Sequence, residues 1–528
     1  MCAEPKATIP VDLAERLQTI LASKDLTLYQ LSRRSESLYG RPSPYFLPHN
    51  LYYDLRSGTF RPSLYQLAAL SRFSNYRFID WVHALAFHVE DIARLQTFLP
   101  SKRTSLLNST LEDPYCWIPW PENKVLLSPN PRIVPLSHLL QFTSYRRLGS
   151  LWNSESRDFL YVKIGREDTL AFPELLPGSI VRVNPNQASD MILRSNGTTS
   201  DDLFLIEHCK GLCCCRLRVV GNRFIVPVST QLSFAQVELR FPEEARCLGV
   251  VDFEIRPLAQ VERPEVSNDL GRHWNPQPLR ELATLSQLLR ASRRKMNLSL
   301  RDVSALSRQA TEVLANQQYF VSPSSLSDYE TLDTAPRHFH KTVTLCAVYG
   351  LQLYSFLNAI GIEPASLGQE AMPDRFVGRI SPQGEAAEMR EMHPAGFLKE
   401  LLGECGNIPF FLLRSPEALT GLANITLDDC FWVGSEPNPL HPYLAKALLV
   451  VVNRRKRKPV HFRSKPLWEQ PLYMILKRDG TYLCACCGLE NGHLLVHPYS
   501  KELYRPIRLR YHDEAEVVGQ VVTIAKKI

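Results

Sequence analysis

The sequence predicts a multi-domain α + β protein in which two helical domains alternate with two β-rich domains. The first observation is that the chain of 528 residues repeats itself, because GREDTLAFPELLPGSIVRVN from Gly165 corresponds to GSEPNPLHPYLAKALLVVVN 269 residues later. The second is that each copy has a segment with helical hydrophobic spacing followed by short runs rich in β-branched residues. Solenoid repeats are roughly 20–50 residues long, so this spacing indicates a duplicated two-domain unit.

The helical segment of each copy has a break near its start. A stretch beginning at Leu13, LAERLQTILASKDLTLYQLSRRS, pairs with LSQLLRASRRKMNLSLRDVSALS 272 residues later. The helical pattern stops at Asp25 or Asn297 and restarts after Thr27 or Ser299, which are residue types that cap helix N-termini. We expect about five helices in each helical domain.

The β-rich segments follow in the same order in both copies. Runs such as FLYVKIG, SIVRVN and NRFIVPV read as strands, and GVVDFEIRPL from Gly249 matches GQVVTIAKKI from Gly519 at an offset of 270. Proline-rich joints are typical of linkers. The predicted order is a helical domain (1–98), a linker (99–157), a β-rich domain (158–262), a Pro-rich linker (263–281), a second helical domain (282–366), a linker (367–427) and a second β-rich domain (428–528).

Composition is that of a soluble globular protein. The hydrophobic content is 45% and the net charge is +7, which permits a polyanionic partner without requiring one. No uncharged apolar run is long enough to span a membrane, and the N-terminus lacks the pattern of a secretory signal. We therefore expect a cytoplasmic protein with no membrane partner.

The second and third helices predicted in each helical domain resemble a helix-turn-helix of the Cro/phage-repressor type. They read LYQLSRRS and NLYYDLRSG in the first copy, and LRDVSALS and SSLSDYET in the second, with a longer gap than that family usually has. In the family, the second helix crosses the phosphate backbone and the third enters the major groove. The resemblance implies that the partner is double-stranded DNA and that the protein is associated with the nucleoid.

The same resemblance implies which residues contact DNA. The base-reading positions are His49, Asn50, Tyr52, Tyr53 and Arg56 in the first copy, and Ser324, Ser325, Ser327 and Asp328 in the second. The phosphate contacts are Tyr29, Gln30, Arg33, Arg34, Arg301 and Arg308. Asparagine and arginine discriminate base edges better than serine. Because Asp328 and Glu330 would repel phosphate in the second copy, we expect the first copy to read DNA better.

The β-rich segments resemble the C-terminal domain of LexA-like and phage repressors. Their order is a strand, a Gly-containing loop, Pro-Leu, GSIVRV, a hairpin ending in VVGNRFIVPV, and LGVVDFEI. That family has a peptidase-like fold in which a neutral lysine activates a serine nucleophile. Aligned on this chain, the serine position falls at Glu167 and Glu436, and the lysine position at Cys215 and Cys486. A carboxylate and a thiol cannot replace this dyad, so we expect no catalytic residues and no enzyme activity.

The cysteines offer a separate hypothesis. Two groups occupy the same region of the repeat: Cys209, Cys213, Cys214 and Cys215, and Cys484, Cys486 and Cys487. Thiolates at this density suit zinc, an iron–sulfur cluster or a redox switch. The usual two-pair zinc spacing is not present, and cysteine is also a good buried small hydrophobe, so core packing without a cofactor is the favoured interpretation.

One basic run has two interpretations. Arg454, Arg455, Lys456 and Arg457 follow directly after a predicted strand, and only the second copy has them. Such a run is usually a solvated loop. It could also add phosphate contacts that do not depend on base sequence.

Together these features predict a sequence-specific transcriptional regulator, a repressor, that acts as an internal pseudo-dimer and reads two different half-sites. The peptidase-like domains would serve dimerisation or signal sensing, and self-association through them is left open. One alternative is a protein-interaction module that does not bind DNA. The other is a rewired self-cleaving peptidase, since the Ala395-Gly396 pair in MHPAGFLKE is similar to the cleavage dipeptide of that family.

Overall fold

A computed structural model describes residues 13–59, 61–108, 117–121, 133–135, 142–147, 159–187, 201–227, 236–258, 265, 284–373, 429–433, 444, 447–460, 470–497 and 505–528. These residues form eleven α-helices and large antiparallel sheets, which confirms the mixed α + β class. The chain divides into two compact units. We call them the helical unit (1–99, 281–294 and 298–383) and the β unit (100–280, 295–297 and 384–528).

The helical unit contains both helical copies. The first copy has α1 (Leu13–Ala22), α2 (Leu28–Tyr39), α3 (Leu51–Arg56), α4 (Leu64–Ser74), α5 (Phe78–Ala84) and α6 (Glu90–Phe98). The second has α7 (Leu285–Lys295), α8 (Leu300–Val313), α9 (Pro323–Thr331), α10 (Phe339–Tyr349) and α11 (Leu353–Ala359). The described residues thus give six helices in one copy and five in the other, close to the expected number.

The predicted break between the first two helices is confirmed in both copies. Asp25 and Asn297 each have φ of 52°, a left-handed conformation that ends a helix. Thr27 accepts a hydrogen bond from the backbone N–H of Gln30 in a capping box, and Ser299 does the same with Asp302. The same local chemistry therefore ends one helix and starts the next at equivalent positions.

A buried serine fixes the turn that follows α2 and α8. The Ser35 hydroxyl accepts the backbone N–H of Leu47 at 3.1 Å, and the Ser307 hydroxyl accepts that of Val321 at 3.1 Å. Both serines are fully buried and also donate to a carbonyl three residues earlier in their own helix. The duplicated sequence therefore folds into a duplicated turn, despite the different residues within it.

The β unit has matching strands in its two copies. The first copy has β5 (Leu160–Lys163), β6 (Ile180–Asn184), β7 (Leu203–His208), β8 (Gly211–Cys215), β9 (Arg218–Val220), β10 (Arg223–Pro227), β11 (Gln236–Arg240) and β12 (Ala245–Pro257). The second has β13 (Cys430–Val433), β14 (Ala447–Asn453), β15 (Tyr473–Lys477), β16 (Tyr482–Glu490), β17 (His493–His497), β18 (Ile507–Arg510) and β19 (Ala515–Lys527).

Four earlier strands lie in the segment that the sequence predicts as a linker. They are β1 (Ser105–Leu106), β2 (Trp117–Pro121), β3 (Ile133–Pro135) and β4 (Phe142–Arg147). β1 pairs with β5 and β3 pairs with β13, while β2 and β4 pair with each other. Residues 99–157 therefore contribute to the sheet of both β copies and do more than connect domains.

The two β copies join through their last strands. β12 and β19 pair antiparallel, with Ile255 opposite Ala525, and these two residues are equivalent at the repeat offset of 270. On either side, Phe253 faces Lys527 and Pro257 faces Thr523. A pairing that exchanges equivalent residues has local two-fold symmetry, the arrangement of an isologous dimer contact.

Candidate nucleic-acid interface

In the first copy, α2 and α3 bury one side and expose the other. Leu31, Ser35, Leu51 and Leu55 face the core. The positions that the resemblance selects for DNA contact face solvent: Tyr29, Gln30, Arg33 and Arg34 on α2, and His49, Asn50, Tyr53 and Arg56 on and before α3, with Tyr52 half-buried. The packing of the two helices thus presents the predicted set of the first copy on the surface, except that Tyr52 is half-buried.

Three tyrosine side chains make the contacts within this surface. The Arg33 guanidinium donates to the Tyr29 hydroxyl at 3.1 Å and lies 5.5 Å from the centre of its ring. The hydrogen bond with Tyr29, followed by the nearby Glu36 charge, raises the pKa of Arg33. On α3, Tyr52 and Tyr53 meet edge to face at 5.3 Å. A cation on an aromatic ring and an exposed tyrosine beside a half-buried one are suited to contacts with phosphates and bases.

The Asn50 side chain is not used in holding α3. Asn50 is the N-cap residue, yet among the described residues its side chain makes no capping hydrogen bond. At an N-cap position, the side-chain oxygen of asparagine usually accepts a hydrogen bond from a backbone N–H. The amide is therefore available to form paired hydrogen bonds with a ligand, as the sequence analysis expects of a base-reading residue.

On the corresponding surface of the second copy, two of the predicted base-reading side chains already contact a neighbouring serine. The Ser322 hydroxyl caps α9 and lies 2.9 Å from the hydroxyl of Ser324 and 3.0 Å from that of Ser325. Two of the predicted base-reading serines are thus part of a cluster at the helix N-terminus. Ser327 is half-buried.

The predicted phosphate contacts of the second copy lie on a groove. Arg301 and Arg308 are exposed on α8 and, with Pro323 of α9, line an open surface groove of about 360 Å³. The Arg308 guanidinium lies 5.7 Å from the centre of the Phe320 ring. Glu312 also lines this groove, so its charge is less positive than the two arginines alone suggest.

The expectation that Glu330 repels phosphate is wrong. Glu330 is only 4% exposed, and its carboxylate receives two hydrogen bonds from Arg293, both at 2.8 Å. The Tyr349 hydroxyl donates to the same carboxylate at 3.1 Å. The charge is therefore compensated within the core, and only Asp328 remains exposed on this helix as a carboxylate.

The basic run lies on an exposed turn of the β unit after β14. Residues Arg454, Arg455, Lys456 and Arg457 are all exposed. Arg454 pairs with Asp429 at 2.9 Å, and the Arg457 guanidinium donates to the Arg454 carbonyl at 3.0 Å. These contacts hold the turn in one shape, and the run is consistent with both interpretations given above.

In the first copy, the position that the LexA-like resemblance would assign to a serine nucleophile is held by one member of a buried ion pair. Glu167 lies 2.8 Å from the Arg103 guanidinium, and both side chains are about one-tenth exposed. The next residue, Asp168, accepts from the Thr104 hydroxyl at 2.5 Å and from the backbone N–H of Cys214 at 3.0 Å. Burial raises the pKa of Asp168 to about 6, against the lowering effect of these hydrogen bonds.

The lysine positions hold thiols that lie in or near the core. Cys215 is fully buried, and a hydrogen bond with Cys213, together with burial, raises its pKa well above the ordinary value. Burial raises the pKa of Cys486 to about 12. Both thiols are therefore protonated at neutral pH and poor nucleophiles. Glu436 and the Ala395-Gly396 pair lie outside the described residues.

The cysteine groups divide among separate apolar clusters. Cys213 and Cys215 pack on one side of β8, while Cys214 packs on the other, as alternation along a strand requires. Cys484 and Cys487 likewise belong to different clusters. Within the described ranges, no group of three or more His, Cys, Asp or Glu side chains is placed to hold a metal ion. These thiols are therefore part of the apolar core of the β unit.

Sequence reasoning missed the partners of several charged residues. Arg103 and Thr104 lie in the segment taken as a linker, yet they enclose Glu167 and Asp168. The repeat does contain a sign of the Arg293–Glu330 pair, because the equivalent positions of the first copy are both leucine, which indicates a contact inside the core.

None of the helices in the described part of the chain has the length and hydropathy needed to span a bilayer.

Comparisons with known proteins do not assign a family. No protein-family model and no curated protein matches the chain. A solved structure, Streptomyces albus HEPD with substrate 2-hydroxyethylphosphonate and Fe(II) bound, aligns with 98% of this chain and 92% of its own at 11% identity and a TM-score of 0.13. At that TM-score the two folds do not correspond, and nothing is carried over from that enzyme.

Proposed function

We propose that this protein is a sequence-specific DNA-binding transcriptional regulator, a repressor, whose two helix-turn-helix copies form an internal pseudo-dimer. The observation that carries the proposal is the exposed surface of α2 and α3 in the first copy. There, Arg33 is braced by Tyr29 while Asn50 and Arg56 face solvent. In a helix-turn-helix, such residues contact phosphates and base edges.

The β unit, in this proposal, holds the two copies together and has no peptidase activity. The two-fold pairing of β12 with β19 supports the role in joining the copies. The lack of peptidase activity is supported by the residues at the expected dyad positions, since Glu167 is in an ion pair and Cys215 is a buried thiol. Relief of repression would then come from a signal other than serine-lysine self-cleavage.

The test is binding of the full chain to random duplex DNA at several salt concentrations, with sequencing of what is retained. We expect one enriched sequence and an affinity that falls steeply with salt, since phosphate contacts release counterions. The double variant Asn50→Ala/Arg56→Ala should then lose about tenfold or more in affinity, because each paired base contact contributes about 1–3 kcal/mol.

A matched control separates base reading from a general loss of charge or fold. Asn358→Ala/Arg94→Ala removes the same residue types from exposed positions on α11 and α6, and it should bind like the unaltered chain. Equal affinity of both double variants would show that the α3 surface does not read DNA. A chain that enriches no sequence at all would contradict the proposal as a whole.

A protein-interaction module is the second candidate, favoured by one observation. Tyr29 and Tyr53 are 62% and 70% exposed, and Leu38 near the end of α2 is 50% exposed. Exposed tyrosines are frequent anchors of protein interfaces. Binding to DNA that is weak and insensitive to salt would favour this function.

A further inference from the structure

The two helical copies exchange equivalent segments. At the offset of 275 that relates α4 to α10, the residues of α6 (90–98) correspond to residues 365–373. α6 belongs to the first copy by sequence but packs against α10 of the second. Residues 368–372 follow the second copy but bind the α4–α5 turn of the first. Each copy therefore holds the terminal segment of the other.

The first half of this exchange is apolar with one partly buried hydrogen bond. The Phe87 ring lies 5.1 Å from that of Phe339 and 5.4 Å from that of His340. The Tyr319 hydroxyl donates to the Asp91 carboxylate at 2.6 Å. Phe87, Phe339 and Tyr319 are all buried. These contacts join α6 to the second copy close to the turn that leads into α9.

The second half is made by backbone hydrogen bonds. Glu370 pairs with Tyr76 as in a parallel sheet, and its carbonyl accepts the N–H of Arg77 at 3.0 Å. The N–H of Met372 donates to the buried Asp80 carboxylate at 3.0 Å. Gly368 is required here, because a Cβ at this position would lie 2.1 Å from the Tyr76 carbonyl oxygen.

We infer that the exchange fixes α3 and α9 relative to each other, so that the helical unit binds two DNA half-sites at one spacing. This rests on the proposed function and adds to it a rule about the ligand. Two helix-turn-helix copies joined by a flexible linker can bind half-sites whose spacing differs by a whole turn of DNA, since both half-sites stay on the same side of the duplex. Two copies that each hold the terminal segment of the other cannot, because one turn moves a half-site by about 34 Å.

The experiment uses the full chain and the two-part sequence retained from the random pool. Spacers are changed by one, two, five and about ten base pairs, the last being one helical turn. We expect affinity to fall by about tenfold or more at every altered spacing, the loss of at least one good base contact. Recovery with the ten-base-pair insertion, or equal binding to all spacers, would overturn the inference and leave the proposed function standing. Enrichment of no sequence would overturn both.

Variants test whether the exchange causes the fixed spacing. Phe87→Ala/Tyr319→Phe weakens the contacts between the copies and should restore binding to the ten-base-pair insertion relative to the best site. Tyr349→Phe is the control, since it also removes a tyrosine hydrogen bond to a carboxylate, but within the second copy. It should keep the strict spacing even if its overall affinity is lower. If the control loosens spacing as much as the double variant, the exchange is not what sets it.

Discussion

The two helical copies share the features that begin and end their helices, but they differ in the contact between the first and third helices. In the first copy that contact is apolar, with Leu21 of α1 and Leu55 of α3 both buried. At the equivalent positions of the second copy stand Arg293, which is half-buried, and Glu330, which is buried, and the two form an ion pair. The capping boxes, the left-handed residues and the buried serine are the same in both. Backbone geometry has thus been kept while the chemistry of one core contact has been exchanged.

The difference shows what a charged pair needs in order to replace two leucines. Glu330 has a paired hydrogen bond from Arg293 and another from Tyr349, whose own pKa is raised by burial and by Glu330. The hydrogen bond with Glu330 in turn raises the pKa of Arg293. A buried carboxylate is tolerated only with such partners, since desolvation otherwise exceeds the attraction between the charges.

The β copies differ in a related way where they meet. Glu254 of β12 is fully buried, with Arg256 at 2.9 Å and Lys526 of β19 at 3.4 Å. Burial alone would raise the pKa of Glu254, but the two cations and their hydrogen bonds lower it overall. The repeat partner of Glu254 is Ile524. A pairing of two second-copy strands would leave the lysine without this carboxylate, so the charges disfavour that pairing.

The largest loss of stability should come from removing one member of the Arg293–Glu330 ion pair. Arg293→Ala leaves the Glu330 carboxylate buried and uncompensated, and we expect a loss of about 3–5 kcal/mol in the free energy of unfolding. Urea denaturation of the full chain, followed by the helical circular dichroism signal, measures this. Arg294→Ala changes an exposed neighbour and should have little effect.

Replacing the whole ion pair by apolar residues should restore the stability that Arg293→Ala loses. Arg293→Leu/Glu330→Leu/Tyr349→Phe copies the apolar contact of the first copy and removes the hydroxyl that would lose its acceptor. Its stability should return to near that of the unaltered chain, because apolar replacement of a whole buried ion pair is often neutral or stabilising. A triple variant as unstable as Arg293→Ala would show that the pair does more than fill this contact.

Asp168 gives a pH dependence that belongs to the first β copy, since the aligned residue in the second is Pro437. Burial raises its pKa to about 6 from 3.8, so the folded chain binds this proton more tightly than the unfolded chain. The stabilising contribution is complete below the unfolded value and is lost as pH rises through 6. Asp168→Asn keeps a hydrogen-bond acceptor and should gain about 3 kcal/mol above pH 7, with little gain at pH 4.

Unfolding of the β unit in urea, compared at the two pH values, tests this. The control is Asp513→Asn, which changes an exposed aspartate of the second copy and should alter neither value. A gain from Asp168→Asn that is the same at both pH values would mean that titration of this carboxyl is not the cause.

The smallest loss of stability should come from the buried serine that both helical copies share. Ser35→Ala and Ser307→Ala each leave a buried backbone N–H without its acceptor, and each should cost about 1–2 kcal/mol. The two losses should agree, because the serine hydroxyl is fully buried and accepts a backbone N–H at 3.1 Å in both copies. Ser37→Ala, on the exposed side of α2, is the control for a serine hydroxyl without this bond. Clearly unequal losses would mean that the two turns are not equivalent.

The sequence by itself determined the local structure and its duplication. Asp25 and Asn297 ended their helices and Thr27 and Ser299 started the next ones, because turn and capping preferences act over a few neighbouring residues. The alternation of cysteines along β8 followed from strand geometry in the same way. The exposed positions of α2 and α3 were also predictable, since hydrophobic spacing identifies the buried side of a helix.

Only the tertiary structure decided which distant groups meet. Glu330 reads as a surface charge until Arg293 and Tyr349 are brought to it, and Asp168 reads as an ordinary carboxylate until Thr104 and Cys214 enclose it. The exchange of terminal segments between the helical copies leaves no local pattern either. These contacts join residues far apart in the chain, and their energies come from burial and charge compensation. Neither burial nor charge compensation can be inferred from the neighbouring residues in the sequence.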